Sequence, residues 1–375
     1  MVEVILYILY GVLALVFVIG AWRLRDAYKH FQVKQLLSGP TMVDHLPSVT
    51  VCIPARNETH AMTECLERVI ASTYPKLEII VLDDLSGDNT SVLIKSFAHA
   101  GVRFVEGSKL PEGWLGKNHA LQGLVKEASG SYILFMDVDT RLTPDSIEQL
   151  VAYAKQEEAL MVSVLPRRED GLRASVVFSP LRYFWELVFH RVSAPATASN
   201  AWLIDRRTLL NRWQGFNQFK DAIQPESRFS AELMAESKYR FLIGTEMLGV
   251  TYEKKWRSQA STSIRLLFPL LGARKLHVMI AALDLLIIAS PLYVIIAGFI
   301  AGFGVQQIIA GVFWLLFSIF YGTYLKKVWK RGWLIGAMLW PGIVIQEAVL
   351  VILSAVSYKK RAVTWKGRLI SLYSN

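Results

Sequence analysis

The chain has 375 residues, 53% of them hydrophobic and 19% charged, with a formal net charge of +10 and a mean hydropathy of +0.34. It is too apolar for an ordinary soluble enzyme and too charged for a pure membrane bundle, so the composition is a mixture. Charge and alternating apolar residues fill roughly residues 45–275, enough for one sizeable domain, and long uncharged runs occupy both ends.

Residues 2–22 form an apolar stretch long enough to span a bilayer, with Glu3 before it and Arg23, Arg25, Lys29 and Lys34 after it. This asymmetry predicts an anchor over 1–22 with its N-terminus outside and the next domain in the cytoplasm. A cleaved signal peptide is disfavoured, because the positive charges follow the apolar segment. Short β-branched runs then alternate with helical patterns, which predicts an α/β domain with a mostly parallel sheet. Strands are expected at Val49 to Ile53, Leu77 to Leu82, Val102 to Val105 and Tyr132 to Met136. Helices are expected at Glu64 to Ala71, Ser91 to Ala100 and His119 to Lys126.

Three apolar runs, 277–303, 305–325 and 332–356, give a C-terminal membrane region over 277–356, followed by a basic tail over 357–375. Four crossings would leave Lys359, Lys360 and Arg361 outside, against the positive-inside tendency. Pro341, Gln346 and Glu347 interrupt the last run, which is therefore expected to be re-entrant or interfacial. The other basic clusters, Arg274 with Lys275 and Lys326, Lys327, Lys330 with Arg331, also flank apolar runs. They fit an anionic cytoplasmic leaflet, and no recognition motif points to nucleic acid. Cys52 and Cys65 lack metal-ligand spacing and read as reduced thiols.

Polar groups gather where the strands end, which is where doubly wound sheets bind ligands. Pro54, Arg56 and Glu58 follow the first strand, in a pattern that a helix-capping turn would also use. The run DDLSGDNT at 83–90 offers adjacent acids that could accept hydrogen bonds from a base or ribose; Asp88 and Thr90 serve equally as an Asx-turn and cap. Lys117, in a glycine-bearing loop that opens a helix, suits a phosphate or plain solvent, and His119 is as readily structural as functional. In FMDVDT, Asp137 and Asp139 sit on alternate positions after an apolar strand, so both address one opening. There they can hold a hard divalent cation, Mg2+ or Mn2+, and through it a diphosphate. Without a counter-charge such a pair would repel. The aromatic and basic stretch from Pro180 to Arg191 reads either as an interfacial guide for a lipid or as the core face of a long helix.

Together VCIPARNE at 51–58, DDLSGDNT at 83–90, GKNHAL at 116–121, DVD at 137–139 and NAWLIDRRTLLNRWQGF at 200–216 resemble the inverting glycosyltransferases of family 2. The membrane ends and the closing VTWKGR at 363–368 make the whole chain similar to bacterial carotenoid-acid and hopanoid-associated members of that family. The resemblance implies a GT-A nucleotide-diphosphosugar transferase domain over 45–275, a multi-pass cell-membrane protein with its catalytic domain in the cytoplasm, a UDP-sugar donor and a lipid acceptor. It implies donor contacts by Pro54, Arg56, Glu58, Asp84, Lys117 and Asp137, with Asp139 and Asp137 on the metal-diphosphate. A later carboxylate would deprotonate the acceptor. Glu226 stands at that position, with Ser227 in place of the usual aspartate, and Asp221 is the second choice. No clear QxxRW pattern follows. Lys255-Trp256-Arg257 is a faint echo that argues against a processive synthase, and Arg257 is a further candidate for the diphosphate.

Overall fold

The computed structural model describes residues 2–31, 46–169, 173–179, 181–302, 304–329 and 331–370; Lys34, Pro180 and Lys330, named above, lie outside them. The first helix, α1 (Val2–Phe31), is apolar nearly all round from Val4 to Trp22. Ile5, Ile8, Leu15 and Val18 lie exposed while Leu13, Leu24 and Ala27 are buried, as expected where lipid covers one side and protein the other.

The domain then alternates β1 (Val49–Ala55), α2 (Thr59–Ile70), β2 (Leu77–Asp83), α3 (Thr90–Ser96), β3 (Val102–Glu106), α4 (Gly116–Glu127) and β4 (Tyr132–Met136). These are the four strands and three helices expected from the sequence; β4 has the expected bounds, α2 and α4 start about a turn earlier, and α3 stops at Ser96, short of the expected Ala100. A short β5 (Thr140–Arg141) and α5 (Ser146–Gln156) lead to β6 (Met161–Leu165), β7 (Arg167–Arg168), α6 (Ala174–Val177) and α7 (Arg182–Val188). Then come β8 (Ala201–Asp205), α8 (Arg206–Trp213), α9 (Pro225–Ala235), β9 (Tyr239–Ile243) and β10 (Thr251–Tyr252).

The main sheet has the order β3-β2-β1-β4-β8-β6-β9, with β8 antiparallel to both neighbours and the other pairings parallel. β5, β10 and β7 form a small second sheet at the carboxyl end of β4. Alternate residues of β1 serve two cores. Val49, Val51 and Ile53 pack with α2 and α5, while Cys52 packs with α4 in a core that runs on to Leu13 of α1 and to the C-terminal helices. The domain and the apolar helices thus share one interior.

After the domain come α10 (Trp256–Leu270), α11 (Lys275–Ile288), α12 (Ser290–Ala301), α13 (Val305–Val328), α14 (Trp333–Met338) and α15 (Trp340–Lys359). A hairpin of β11 (Thr364–Trp365) and β12 (Arg368–Leu369) follows. Among the described residues three helices, α1, α13 and α15, are long and apolar enough to cross a membrane, and α11 with α12 makes a pair bent by 50°, either a broken span or a re-entrant loop. The interruption expected in the last run falls at Leu339, with Pro341 tolerated in the first turn of α15, where its missing N–H costs nothing. α15 is then an uninterrupted helix of 20 residues. The sharp bend lies earlier, before Pro291.

Around β8 and α9 an aromatic cluster fixes the second half of the domain. The buried ring of Phe229 lies 4.7 Å from Trp213, 5.3 Å from Phe219 and 5.5 Å from Phe216. Phe229→Ala is expected to cost about 3–5 kcal/mol, read as a lowered unfolding midpoint in detergent. A shift below about 2 °C would show that α9 is held by something else.

Candidate active site

β4 ends at Met136, and the chain turns through Asp137, Val138 and Asp139 into β5. Val138 is buried in the core while both acids are half-buried. The turn is fixed by Asp137 N–H donating to the Asn200 carbonyl at 2.9 Å and Thr140 N–H to the Asp137 carbonyl at 3.0 Å.

Each acid has its own cation. Lys117 Nζ, from the first turn of α4, lies 2.6 Å from Asp137 Oδ1. Lys254 Nζ lies 3.0 Å from Asp139 Oδ2, delivered by β10, which pairs with β5. Burial pushes the Asp137 carboxyl up, but the ammonium groups of Lys117 and Lys254 outweigh it and hold it below the usual carboxylate range. Burial likewise opposes the charge on Lys254, and Asp139 and Asp137 more than restore it. Asp139 Oδ1 is buried and has no hydrogen-bond partner among the described residues. A buried carboxylate oxygen left alone is costly, and a hard cation is the kind of group that satisfies it.

Glu226 sits in the first turn of α9, behind Pro225, and is 5% exposed. The loop that brings it there is tied to α4. Asn118 Nδ2 donates to the carbonyls of Phe219, Lys220 and Ala222 at 3.1, 3.1 and 2.8 Å, and Phe216 N–H donates to Gln122 Oε1 at 2.6 Å. Burial raises the Glu226 carboxyl, against Lys117 and Arg182. Lys117, Glu226, Arg182 and Arg265 line one pocket. Arg182 Nη2 and Arg265 Nε are buried without partners among the described residues. A larger cavity, about 1020 Å3, adjoins it and shares Arg182, Ile223 and Gln224. Its apolar walls, including Trp185, Phe189, Leu267 and Leu285, come from α7, α10 and α11.

Arg56 donates through Nη1 to the Asp84 and Leu85 carbonyls, and Glu58 and Asp84 meet Lys366 and Arg368 of the C-terminal hairpin. Burial raises the carboxyls of Glu58 and Asp84 despite those cations. Asp83 accepts from the hydroxyls of Ser86 and Ser91, and Asp88 from Thr59 and Thr90, so these acids hold the turn. His119 packs edge-on to Trp114, ring centroids 5.7 Å apart.

Of the residues expected from sequence, Arg56, Glu58 and Asp84 meet the C-terminal hairpin, with Pro54 half-buried in β1 beside Leu82, Lys117 pairs with Asp137 and lines one pocket with Glu226, and Glu58 feels the charges of Asp137 and Asp139. Asp221 is exposed and lines the larger cavity. Arg257 is exposed in the first turn of α10 and lines neither space; the cations brought in are Lys254 and Arg265. Lys254, Arg182, Arg265, Lys366 and Arg368 were not singled out as site residues by sequence. Arg182 lay within the aromatic-basic stretch and Lys366 and Arg368 within VTWKGR. Arg265 could have been flagged as a cation amid the apolar residues of α10, whereas nothing local marked Lys254.

Lys254→Met is expected to cost about 1–3 kcal/mol at pH 7, less than a fully buried pair because a fifth of each side chain is exposed. Removing the cation lets the folded-state pKa of Asp137 rise, so the loss is present where the carboxyl is ionised and shrinks as acid protonates it. Unfolding midpoints of both proteins at pH 7 and at about pH 3, below the ordinary aspartate pKa, check this; an equal difference at the two values would count against it.

The family model described as Glycosyl transferase family 2 matches residues 50–201. A 4,4'-diaponeurosporenoate glycosyltransferase of Staphylococcus aureus is 33% identical over 139 residues, 36% of this chain and 36% of that one. An undecaprenyl-phosphate 4-deoxy-4-formamido-L-arabinose transferase of Pectobacterium atrosepticum is 28% identical over 134 residues, 35% of this chain and 41% of that one. The matches thus span about two-fifths or less of these relatives' length. Among solved structures, a mannosyltransferase from Pyrobaculum calidifontis in complex with GDP-Man and Mn2+ is 18% identical. It aligns over 95% of this chain and 98% of its own, with a TM-score of 0.58. With the sheet order already described, these matches show a GT-A fold, within which residues 50–201 are similar to glycosyl transferase family 2.

Proposed function

We propose that the protein is a membrane-bound inverting glycosyltransferase that moves a sugar from a nucleoside diphosphate donor to a lipid acceptor with an acidic head. One observation carries the reading: a polar pocket lined by Lys117 and Glu226 shares Arg182, Ile223 and Gln224 with a larger, mostly apolar cavity lined by α7, α10 and α11. A lipid tail fits the apolar side. The unpaired donors of Arg182 and Arg265 suit a carboxylate or phosphate at the junction. Both curated relatives are named for acidic lipids, a carotenoid acid and a polyprenyl phosphate. The donor is read as UDP-linked, with glucose as the expected sugar. GDP-mannose is the alternative, since the solved neighbour holds GDP-Man.

In single displacement the acceptor oxygen attacks the anomeric carbon as the bond to the diphosphate breaks on the opposite face. Lys117 holds Asp137 charged and in place beside that leaving group. Asp139, with its unpartnered Oδ1, and Asp137 are the residues that would hold Mg2+ or Mn2+, which supplies charge neutralisation for the departing diphosphate when bound. Glu226, raised by burial, is placed to take a proton from a hydroxyl acceptor. An acceptor that is already an anion needs little of this help.

The hairpin also bears on topology. Because its cations touch Glu58 and Asp84, the tail and the domain lie on one side of the membrane. The chain between them then crosses an even number of times. We read α13 and α15 as the crossings and the bent α11–α12 pair as re-entrant, a reading with the basic tail and the domain both in the cytoplasm that the positive-inside tendency supports.

Purified protein in detergent is expected to release UDP from UDP-glucose only with Mn2+, and faster with an acidic lipid than with a hydroxyl-bearing one, and Asp139→Asn to abolish the release. Glu226→Gln should lower kcat about 10²–10⁴-fold with a hydroxyl acceptor and far less with a carboxylic one. With the hydroxyl acceptor, the rate should fall with acid at a pH above the ordinary glutamate range, because burial raises the base's pKa. Metal-independent release, or equal losses with both acceptors, would count against the roles given. Separately, a cysteine at Ser357 in an otherwise thiol-protected chain is expected to react in inside-out and not right-side-out vesicles; the opposite labelling would overturn the topology.

A further inference from the structure

The C-terminal hairpin reaches the domain only after the chain has passed through all the apolar helices, yet it forms part of the pocket wall. Lys366 and Gly367 take positive φ values of 48° and 84° in succession, the geometry of a tight two-residue hairpin loop. That loop sends Lys366 Nζ to Glu58 Oε1 at 2.8 Å and Arg368 Nη1 to Asp84 Oδ2 at 2.6 Å. Arg56 Nε donates to the Lys366 carbonyl at 3.1 Å. The Trp365 ring lies over Gly116, where a Cβ would meet both it and Arg368 Nη1 at 3.0 Å. Trp365 and Arg368 line the same pocket as Lys117 and Glu226.

Asp84 is 1% exposed. Its Oδ2 is taken by Arg368, while its Oδ1 is buried and has no partner among the described residues. A buried carboxylate in that state has one oxygen anchored and one left to accept. An N–H on the edge of a nucleobase is a donor of the right kind. Burial favours the neutral acid, and Arg368 is the cation in direct contact that opposes it.

We propose that Arg368 is a positioning residue for nucleobase recognition: it anchors Asp84 through Oδ2 and keeps Oδ1 free for the donor's base, so that nucleotide binding depends on the C-terminal hairpin. The proposal rests on the reading of this pocket as a nucleotide-sugar site. Base recognition in the domain is thereby coupled to the far end of the chain, and a break anywhere in the membrane region that displaces the hairpin weakens donor binding.

The test is titration calorimetry of full-length protein in detergent with Mn2+ and UDP or GDP, whichever the wild type binds more tightly. Arg368→Ala is expected to weaken binding roughly tenfold, since it leaves a buried acid without its charged partner, and Arg368→Lys to recover part of that loss. With the sugar donor, the donor KM should rise by a similar factor while the acceptor KM stays unchanged. In an Asp84→Asn background the same Arg368→Ala change should cost less than about twofold, because its effect runs through Asp84. Should Arg368→Ala not fold, Arg368→Gln takes its place in both backgrounds. Wild-type-like affinity in the folded variant, or an equal loss with and without Asp84, overturns the proposal. A wild type that binds neither nucleotide overturns the nucleotide-site reading beneath it as well.

Discussion

Two carboxylates of like sign stand at the end of one buried strand, and the rest of the site is arranged by the need to neutralise them. Asp137 and Asp139 cannot both stay ionised in a half-buried turn without counter-charge. Lys117 answers one from the start of α4 and Lys254 the other from the end of β10. These two lysines come from segments far apart in the chain, so the ion pairs also fix where α4 and the small second sheet sit. That small sheet exists to make the second delivery: β5 follows Asp139 directly, and β10 pairs with it just before Lys254.

The opposite wall depends on the polar side of α4. Asn118 and Gln122 spend their hydrogen bonds on the backbone of 214–222, which sets the start of α9 and so places Glu226. The approach is close enough that Gly215, at φ 76°, has no room for a Cβ against the Gln122 amide. The aromatic cluster under α9 then supplies the packing that holds this geometry against the cost of burying a carboxylate.

Continuity between the domain and the apolar helices gives the molecule its third feature. Phe31 at the end of α1 meets Phe241 of β9 with centroids 5.2 Å apart, and Phe184 of α7 packs on Tyr321 and Tyr324 of α13 at 5.3 and 5.4 Å. The aromatic stretch read as either a lipid guide or a core helix divides its residues: Phe184 and Leu187 pack inward, while Trp185 and Phe189 line the cavity. The apolar helices therefore line the larger cavity as well as packing against the domain.

The amino-acid sequence by itself determined the parallel half of the sheet, the apolar ends and the strand-end acids, because these depend on local periodicity and on residues close together in the chain. Pro54, Arg56, Glu58, Asp84, Asp137 and Asp139 were legible because strand ends mark themselves with proline, glycine and charge. The antiparallel β8 and its partners β6 and β9 were not, since an apolar run of five residues carries no sign of its neighbour or direction. Only the tertiary structure decided which cations meet those acids. Lys254 and Arg368 lie more than a hundred residues from the carboxylates they neutralise, whereas Arg257, named from sequence as a further candidate for the diphosphate, is exposed. An ion pair across such a distance is set by how strands and helices pack, and no spacing within either segment records it.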